Sequence, residues 1–155
     1  MKKTADLNAC PIARAAGLVG DEKILLALRA LFRGPQRFDE LQKSTGAATN
    51  ILSNRLARMI EAGIVSKQQY QDRPVRYDYR LTKAGMALFP SLLALWRFAE
   101  DWMPCEEVPP FALRHTTCGK LTRPGSVCSE CGEPITTRNV AMERNEVAPP
   151  VSGLA

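Results

Sequence analysis

The sequence predicts a mainly α-helical chain with one small antiparallel β-hairpin and a small Cys-rich appendage. Three observations point there. Apolar residues recur at helical spacing through 22–33, 38–45, 49–62 and 81–103. The period drops to two in the neighbouring stretches "IVSKQQYQ" and "VRYDYRL". Finally, His115, Cys118, Cys128 and Cys131 crowd into one short tract near the C-terminal end.

Taken in order, Asp21 is a good N-cap for "EKILLALRALFR", whose Ile24, Leu25, Leu28, Leu31 and Phe32 form a core-facing stripe. Gly34 and Pro35 stop that helix, where a left-handed residue and a breaker belong. A short second helix over Phe38–Thr45 buries Phe38 and Leu41 and ends at Gly46. After a short turn, "ATNILSNRLARMIEAGIV" (48–65) reads as a third helix ended by Gly63, with Leu52, Leu56, Met59 and Ile60 on one stripe. The two strands follow. Tyr77, Tyr79 and Leu81 alternate in the second, and "DRPV" turns between them with Pro74 at the tip.

"LTKAGMALFPSLLALWRFAEDWM" returns to a helix that Pro90 restarts or kinks, with Leu88, Leu92, Leu95, Trp96, Ala99 and Trp102 on one face. Core packing is one reading of that face. A subunit interface is the favoured one, because Trp96 and Trp102 would otherwise leave a large exposed apolar patch. The domains expected are therefore a helical domain over 1–103, a Pro-rich linker over 104–113, a Cys-rich unit over 114–138 and a frayed tail over 139–155.

Charge is unevenly placed. The chain carries +5, and residues 20–85 hold twelve Lys/Arg against seven Asp/Glu, while the remainder holds nine of each. All the excess therefore lies on the segment with the third helix, which suits a polyanionic partner, with an ordinary basic surface as the equal alternative. No apolar run approaches the ~20 residues that span a bilayer. Lys2 and Lys3 imitate a signal n-region, but Asp6 and Asn8 stand where an apolar core should follow, so export is not expected. The compartment is read as cytoplasmic and reducing, on the nucleoid, with the five cysteines as thiols or metal ligands.

Opposite its apolar stripe the third helix shows Thr49, Asn50, Ser53, Asn54, Arg55 and Arg58 in place of the usual Glu and Lys. Asn can pair with adenine through two hydrogen bonds and Arg with guanine, while Ser and Thr donate or accept as needed. Two helices joined by a short Gly-containing turn, then a basic hairpin, describe a winged helix-turn-helix. Asn50, Ser53, Asn54 and Arg58 are read as groove contacts, with Thr49 beside them at the N-terminal margin. Arg55 and Lys43 are read as holding phosphate. Arg73 and Arg76, at the hairpin tip, reach backbone or an adjacent minor groove. The plainer reading of any one of these is a surface polar group.

Residues 10–103 resemble the HxlR-type winged-helix transcriptional regulators of prokaryotes. The resemblance rests on "CPIARAAGLVGDEKILLALRALFRGPQRFDELQKSTG", "NILSNRLARMIEAGIV", "YDYRLTKAG" and "FPSLLALWRFAEDW". It implies a homodimer, built by the N- and C-terminal helices, that sets one recognition helix in each half of a two-fold operator on double-stranded DNA. The family pattern has Trp where this chain reads Glu22-Lys23-Ile24, so packing there should differ. Cys10 matches a position that senses thiol oxidation in some members; a small residue near the dimer seam is the alternative.

The appendage reads H-x2-C-G, nine spacer residues, then C-x2-C-G. Three thiolates and one imidazole (His115, Cys118, Cys128, Cys131) suit a closed tetrahedral zinc site, structural and not catalytic. A ribbon that has lost its metal and a redox C-x2-C are the alternatives. Cys105 has no partner at ligand spacing. No Ser/His/Asp set, phosphate loop or open metal site is recognisable, so the expected function is a DNA-binding repressor without enzymatic activity. The competing functions are a thiol switch through Cys10 or the C-x2-C pair, and a zinc-ribbon interaction module.

Overall fold

A computed structural model of the chain describes residues 9–146, whose contacts divide between Thr82 and Lys83 into two units. The first unit runs α1 (Pro11–Val19), α2 (Glu22–Leu31), β1 (Gln36–Arg37), α3 (Phe38–Thr45), α4 (Thr49–Glu61), β2 (Val65–Asp72) and β3 (Val75–Leu81). The helix starts and stops follow single-residue signals. Asp21 Oδ1 accepts from the backbone N–H of Lys23 at 2.9 Å and of Ile24 at 3.2 Å, which caps α2. Gly46, at φ +61°, ends α3 in the left-handed conformation that a side chain would strain.

The core of this unit comes from one face of each of three helices: Ile24, Ala27, Leu28 and Leu31 of α2, Leu41 of α3, and Leu52, Leu56 and Met59 of α4. Within the Glu22-Lys23-Ile24 stretch, Ile24 is fully buried while Glu22 is exposed. Ile60, expected on the α4 stripe, is 38% exposed. Phe32 and Phe38 are half-buried. β2 and β3 form the hairpin, and β1 adds to its far edge in the order β1-β3-β2. Tyr79 is buried while Tyr77 faces out. None of the residues of α1 is buried, and Ile12 is 77% exposed.

The second unit runs α5 (Lys83–Met86), α6 (Phe89–Trp102), β4 (Phe111–His115), β5 (Lys120–Thr122) and β6 (Val140–Arg144). Pro90 lies in the first turn of α6, where its missing N–H costs nothing, and the expected long helix is thereby split in two. Of the face expected to be apolar, Leu88, Leu92, Trp96 and Ala99 are half-buried. Leu95, Phe98 and Trp102 form an exposed stripe at i, i+3 and i+7, with Trp102 75% exposed.

β4 is the central strand of the second sheet, paired antiparallel with β5 and β6. Two expected boundaries shift as a result. The sheet starts at Phe111, inside the expected linker, and its third strand lies at 140–144, inside the expected tail. "VAMER" reads poorly as a strand on its own. What holds it is the antiparallel ladder with β4, from Phe111 opposite Arg144 to His115 opposite Val140, beside which Arg114 Nε donates to Glu143 Oε2 at 2.8 Å. The rest of the expected tail, from 147, lies outside the described residues. The contacts group α6 with the Cys-rich unit, within the span of the expected 1–103 domain. Among the described residues, no helix is long and apolar enough to cross a membrane.

Candidate nucleic-acid interface and metal cluster

The position of α4 is set by the turn that precedes it. Lys23 Nζ donates to the carbonyl of Thr45 at 3.1 Å, and Arg29 Nη2 to that of Ser44 at 2.9 Å, so two α2 cations satisfy the last carbonyls of α3. Thr45 is buried, donates to the Leu41 carbonyl at 2.8 Å and accepts from the Ala47 N–H at 3.3 Å. Gln42 Nε2 then reaches Thr49 Oγ1 at 3.0 Å, fixing the first residue of α4. The sequence reading missed Lys23, Arg29 and Gln42. Spacing identifies faces of helices, and these three act by reaching across to another element.

Thr49, Asn50, Ser53 and Asn54 are all exposed on α4, opposite buried Leu52, Leu56 and Met59. Lys43 is exposed on α3. The two arginines have partners within the fold. Arg55 Nε donates to Asp21 Oδ2 at 2.6 Å, and its Nη1 to Asn54 Oδ1 at 3.0 Å. Arg58 Nη2 donates to the carbonyl of Gly17 in α1 at 2.8 Å. Arg55 is thus anchored to the cap of α2, where phosphate holding was expected. Arg58 ties α4 to α1, where a groove contact was expected. A guanidinium at these positions finds an acceptor within the fold, which helical spacing alone does not reveal.

Asp21 is in this way both a cap and an ion-pair partner. Burial raises its pKa, but the Ile24 N–H, the Arg55 guanidinium and the Lys23 N–H outweigh that and hold it below the ordinary 3.8. A carboxyl depressed in the folded state stabilises it above its unfolded pKa, and the contribution is lost as pH falls through the folded value. Asp21→Ala is therefore expected to cost about 0.5–2 kcal/mol at neutral pH for the cap alone. In urea titrations the cost should shrink below pH 4, and a cost independent of pH would refute this role.

In the hairpin, Arg73 and Arg76 are exposed near the tip. A register shift between Gln69 and Gln71 leaves Tyr70 unpaired in the ladder. Arg37 lies 4.9 Å from the Tyr70 ring centroid, and Lys67 lies 4.1 Å from that of Tyr77. With Arg76 and Asp39 these side chains line an open pocket of about 470 Å³. Arg37, Lys67 and Tyr70 were not singled out from the sequence, and Tyr77 only as an alternating strand residue; same-face neighbours on paired strands were the signal available.

In the second unit, the end of β4 and two tight turns bring four donors together. His115, Cys118, Cys128 and Cys131 place their ligand atoms within 4.8 Å of one another. The turns are alike: the Gly119 N–H donates to the His115 carbonyl at 2.8 Å with φ +72°, and the Gly132 N–H to the Cys128 carbonyl at 2.9 Å with φ +77°. This is why a Gly follows the second ligand of each pair.

The spacing can be tested against a tetrahedral ion. Bonds of about 2.3 Å to sulfur and about 2.0–2.1 Å to nitrogen put two thiolates ~3.8 Å apart and thiolate from imidazole ~3.5 Å. Cys118 Sγ and Cys128 Sγ are 3.8 Å apart, and His115 Nδ1 lies 3.3 Å from Cys118 Sγ and 3.4 Å from Cys131 Sγ. His115 is fully buried, its Nδ1 faces the thiols, and its Nε2 has no hydrogen-bond partner. Burial raises the Cys128 pKa, but the Cys131 and Glu130 N–H groups, with the Thr122 hydroxyl and the Cys131 thiol, bring it down to about 6. The cluster can hold a metal ion with every position filled by protein, leaving none for a substrate. Cys10, at the N-cap of α1, and Cys105 are exposed and stand outside this cluster.

Comparison with known proteins bears on the helix-turn-helix part of the chain. The profile described as HxlR-like helix-turn-helix matches residues 18–107. The HTH-type transcriptional regulator Rv3095 of Mycobacterium tuberculosis is 41% identical over 132 residues, covering 85% of this chain and 84% of its own length. The crystal structure of PA1607, a candidate transcription factor, superposes with a TM-score of 0.68 at 32% identity, over 92% of this chain and 98% of that one. The reduced form of the transcriptional regulator YodB from Bacillus subtilis gives 0.53 at 29% identity, over 63% of this chain and 95% of its own.

Proposed function

The chain belongs to the HxlR-like helix-turn-helix family of transcriptional regulators, which are not enzymes, and from that premise we propose that it is a cytoplasmic, nucleoid-associated repressor that binds a two-fold operator as a homodimer. The reading is carried by one observation: the N-terminal half of α4 turns Thr49, Asn50, Ser53 and Asn54 outward from a fully apolar back. Four short polar side chains on a helix with such a seat match base edges in a major groove. Asn54 reads with its amide oriented by Arg55. Lys43, Arg73 and Arg76 hold phosphate. Arg55 and Arg58 seat the helix through Asp21 and the Gly17 carbonyl, and their remaining N–H donors face the same side as the reading residues.

The two copies join through α1 and α6, where Ile12, Leu95, Phe98 and Trp102 are exposed in the single chain. The His115, Cys118, Cys128 and Cys131 cluster holds one structural zinc per chain, and the ion orders a unit with little core of its own. Selection of full-length protein on randomised duplexes should return a two-fold sequence with half-sites about one helical turn apart. Recovery of unselected sequence, or of single half-sites bound by a monomer, would overturn the reading.

A second reading, a thiol switch, is favoured by Cys10, which is exposed at the start of α1. YodB, with which the chain shares its fold at 28% identity, is known in a diamide-treated form. Repeating the operator measurement after diamide, with Cys10→Ser beside it, separates a switch from plain repression.

A further inference from the structure

The Cys-rich unit is joined to α6 by a continuous run of contacts. Ser129, next to the ligand Cys128, donates its N–H to Thr122 Oγ1 at 2.9 Å, and its Oγ accepts from the Arg123 N–H at 3.3 Å. Arg123 Nη2 reaches Asp101 Oδ1 on α6 at 2.6 Å. Arg97, one turn back on α6, donates Nε to Asp101 Oδ2 at 2.7 Å and Nη1 to the Pro124 carbonyl at 3.4 Å. Trp96 and Glu100 share a cavity of about 140 Å³ with Phe111, Leu113, Thr122 and Pro124. Helix and sheet therefore meet along one seam, and Asp101 is its charged centre.

What keeps that seam in shape is not apolar burial. Between Thr116 and Asn139 only Thr122, Pro124 and Cys128 are buried, which is too little to fix the loop without another source of order. A helix of 14 residues is also marginal alone in water, so the last turns of α6 depend on what they touch. Those turns carry Phe98 and Trp102 beside Asp101. In a two-fold pair such a stripe meets the same stripe of the second copy.

We propose that metal occupancy of the His115, Cys118, Cys128 and Cys131 cluster sets the strength of dimerisation, transmitted through Ser129, Thr122 and Arg123 to Asp101 on the pairing helix. The ligand is a divalent ion with a preference for thiolate, the partner is a second copy of the chain, and the inference rests on the dimer and metal readings above. It makes the Cys-rich unit a buttress whose ion controls assembly, and through assembly the affinity for a two-fold site. By linkage the effect is reciprocal: the dimer binds the ion more tightly than the monomer by the same factor.

The test uses full-length protein loaded with zinc and then stripped with an organomercurial and EDTA. Sedimentation equilibrium should show the dimer dissociation constant rising about tenfold or more on stripping. Asp101→Asn should keep one zinc per chain, dimerise with the weakness of the stripped protein, and respond to stripping by less than about twofold. In wild-type protein, zinc affinity measured against a competing chelator should be higher above the dimer constant than below it. That measurement stands if Asp101→Asn fails to fold. A loaded chain that stays monomeric overturns the dimer reading, a chain that takes up no zinc overturns the metal reading, and either takes this proposal with it. A dimer of unchanged strength after stripping overturns the coupling alone.

Discussion

Cys118→Ser is expected to abolish metal retention and to unfold the Cys-rich unit while residues 9–82 keep their cooperative transition. The size of the effect follows from what the ion supplies. Structural zinc contributes about 10–16 kcal/mol of apparent folding energy in small zinc-binding peptides at neutral pH, far more than any side chain in this unit can. A serine hydroxyl keeps the shape of Cys118 but is a poor ligand, and His115 Nδ1 would lose the sulfur 3.3 Å away. His115, already buried with Nε2 unpartnered, would then keep only the Cys131 thiol, 3.4 Å from Nδ1, to offset its burial. Amide exchange should rise across β4 and β5 and through the two turns, and remain slow in α2 and α4. Cys105→Ser is the matched control, since Cys105 stands outside the cluster. Full zinc content in purified Cys118→Ser, or unchanged exchange in β5, would refute a folding role for the ion.

The sequence was most legible where one residue marks one event. Asp21 and Gly46 fixed the start of α2 and the end of α3, because a cap and a left-handed residue act locally. The apolar stripe of α4 was legible in Leu52, Leu56 and Met59. Ile60 was not, since it lies beyond the edge of the stripe that faces α2 and α3. The ligand set was legible because tight Gly turns force a short, recognisable spacing.

The rest depends on partners distant in sequence. Arg58 finds Gly17 across 41 residues, and Arg123 finds Asp101 across 22. Periodicity names the face a residue occupies but not the acceptor waiting there. The same blindness hid the ion pairs and the seam that join α6 to the second sheet. β6 was hidden for a related reason: its pairing with β4, not its own alternation, makes it a strand.

Asn50→Ala and Asn54→Ala are each expected to relax operator preference by about 1–3 kcal/mol at one base position, leaving binding to random duplex nearly unchanged. The cause is asymmetric. Removing a bidentate amide forfeits contacts only with the correct base, and the phosphate contacts that supply non-specific affinity stay in place. Arg76→Ala should do the reverse, weakening every duplex alike and lowering the slope of log affinity against log salt by about one. Arg58→Ala discriminates between the two views of this helix. As a tie to the Gly17 carbonyl it should loosen α1 and lower stability, with base preference intact. As a groove contact it would relax one operator position with stability intact. Competition titrations on the selected operator and its single-position variants, run beside urea unfolding, decide the point, because the two roles move different observables in the same protein.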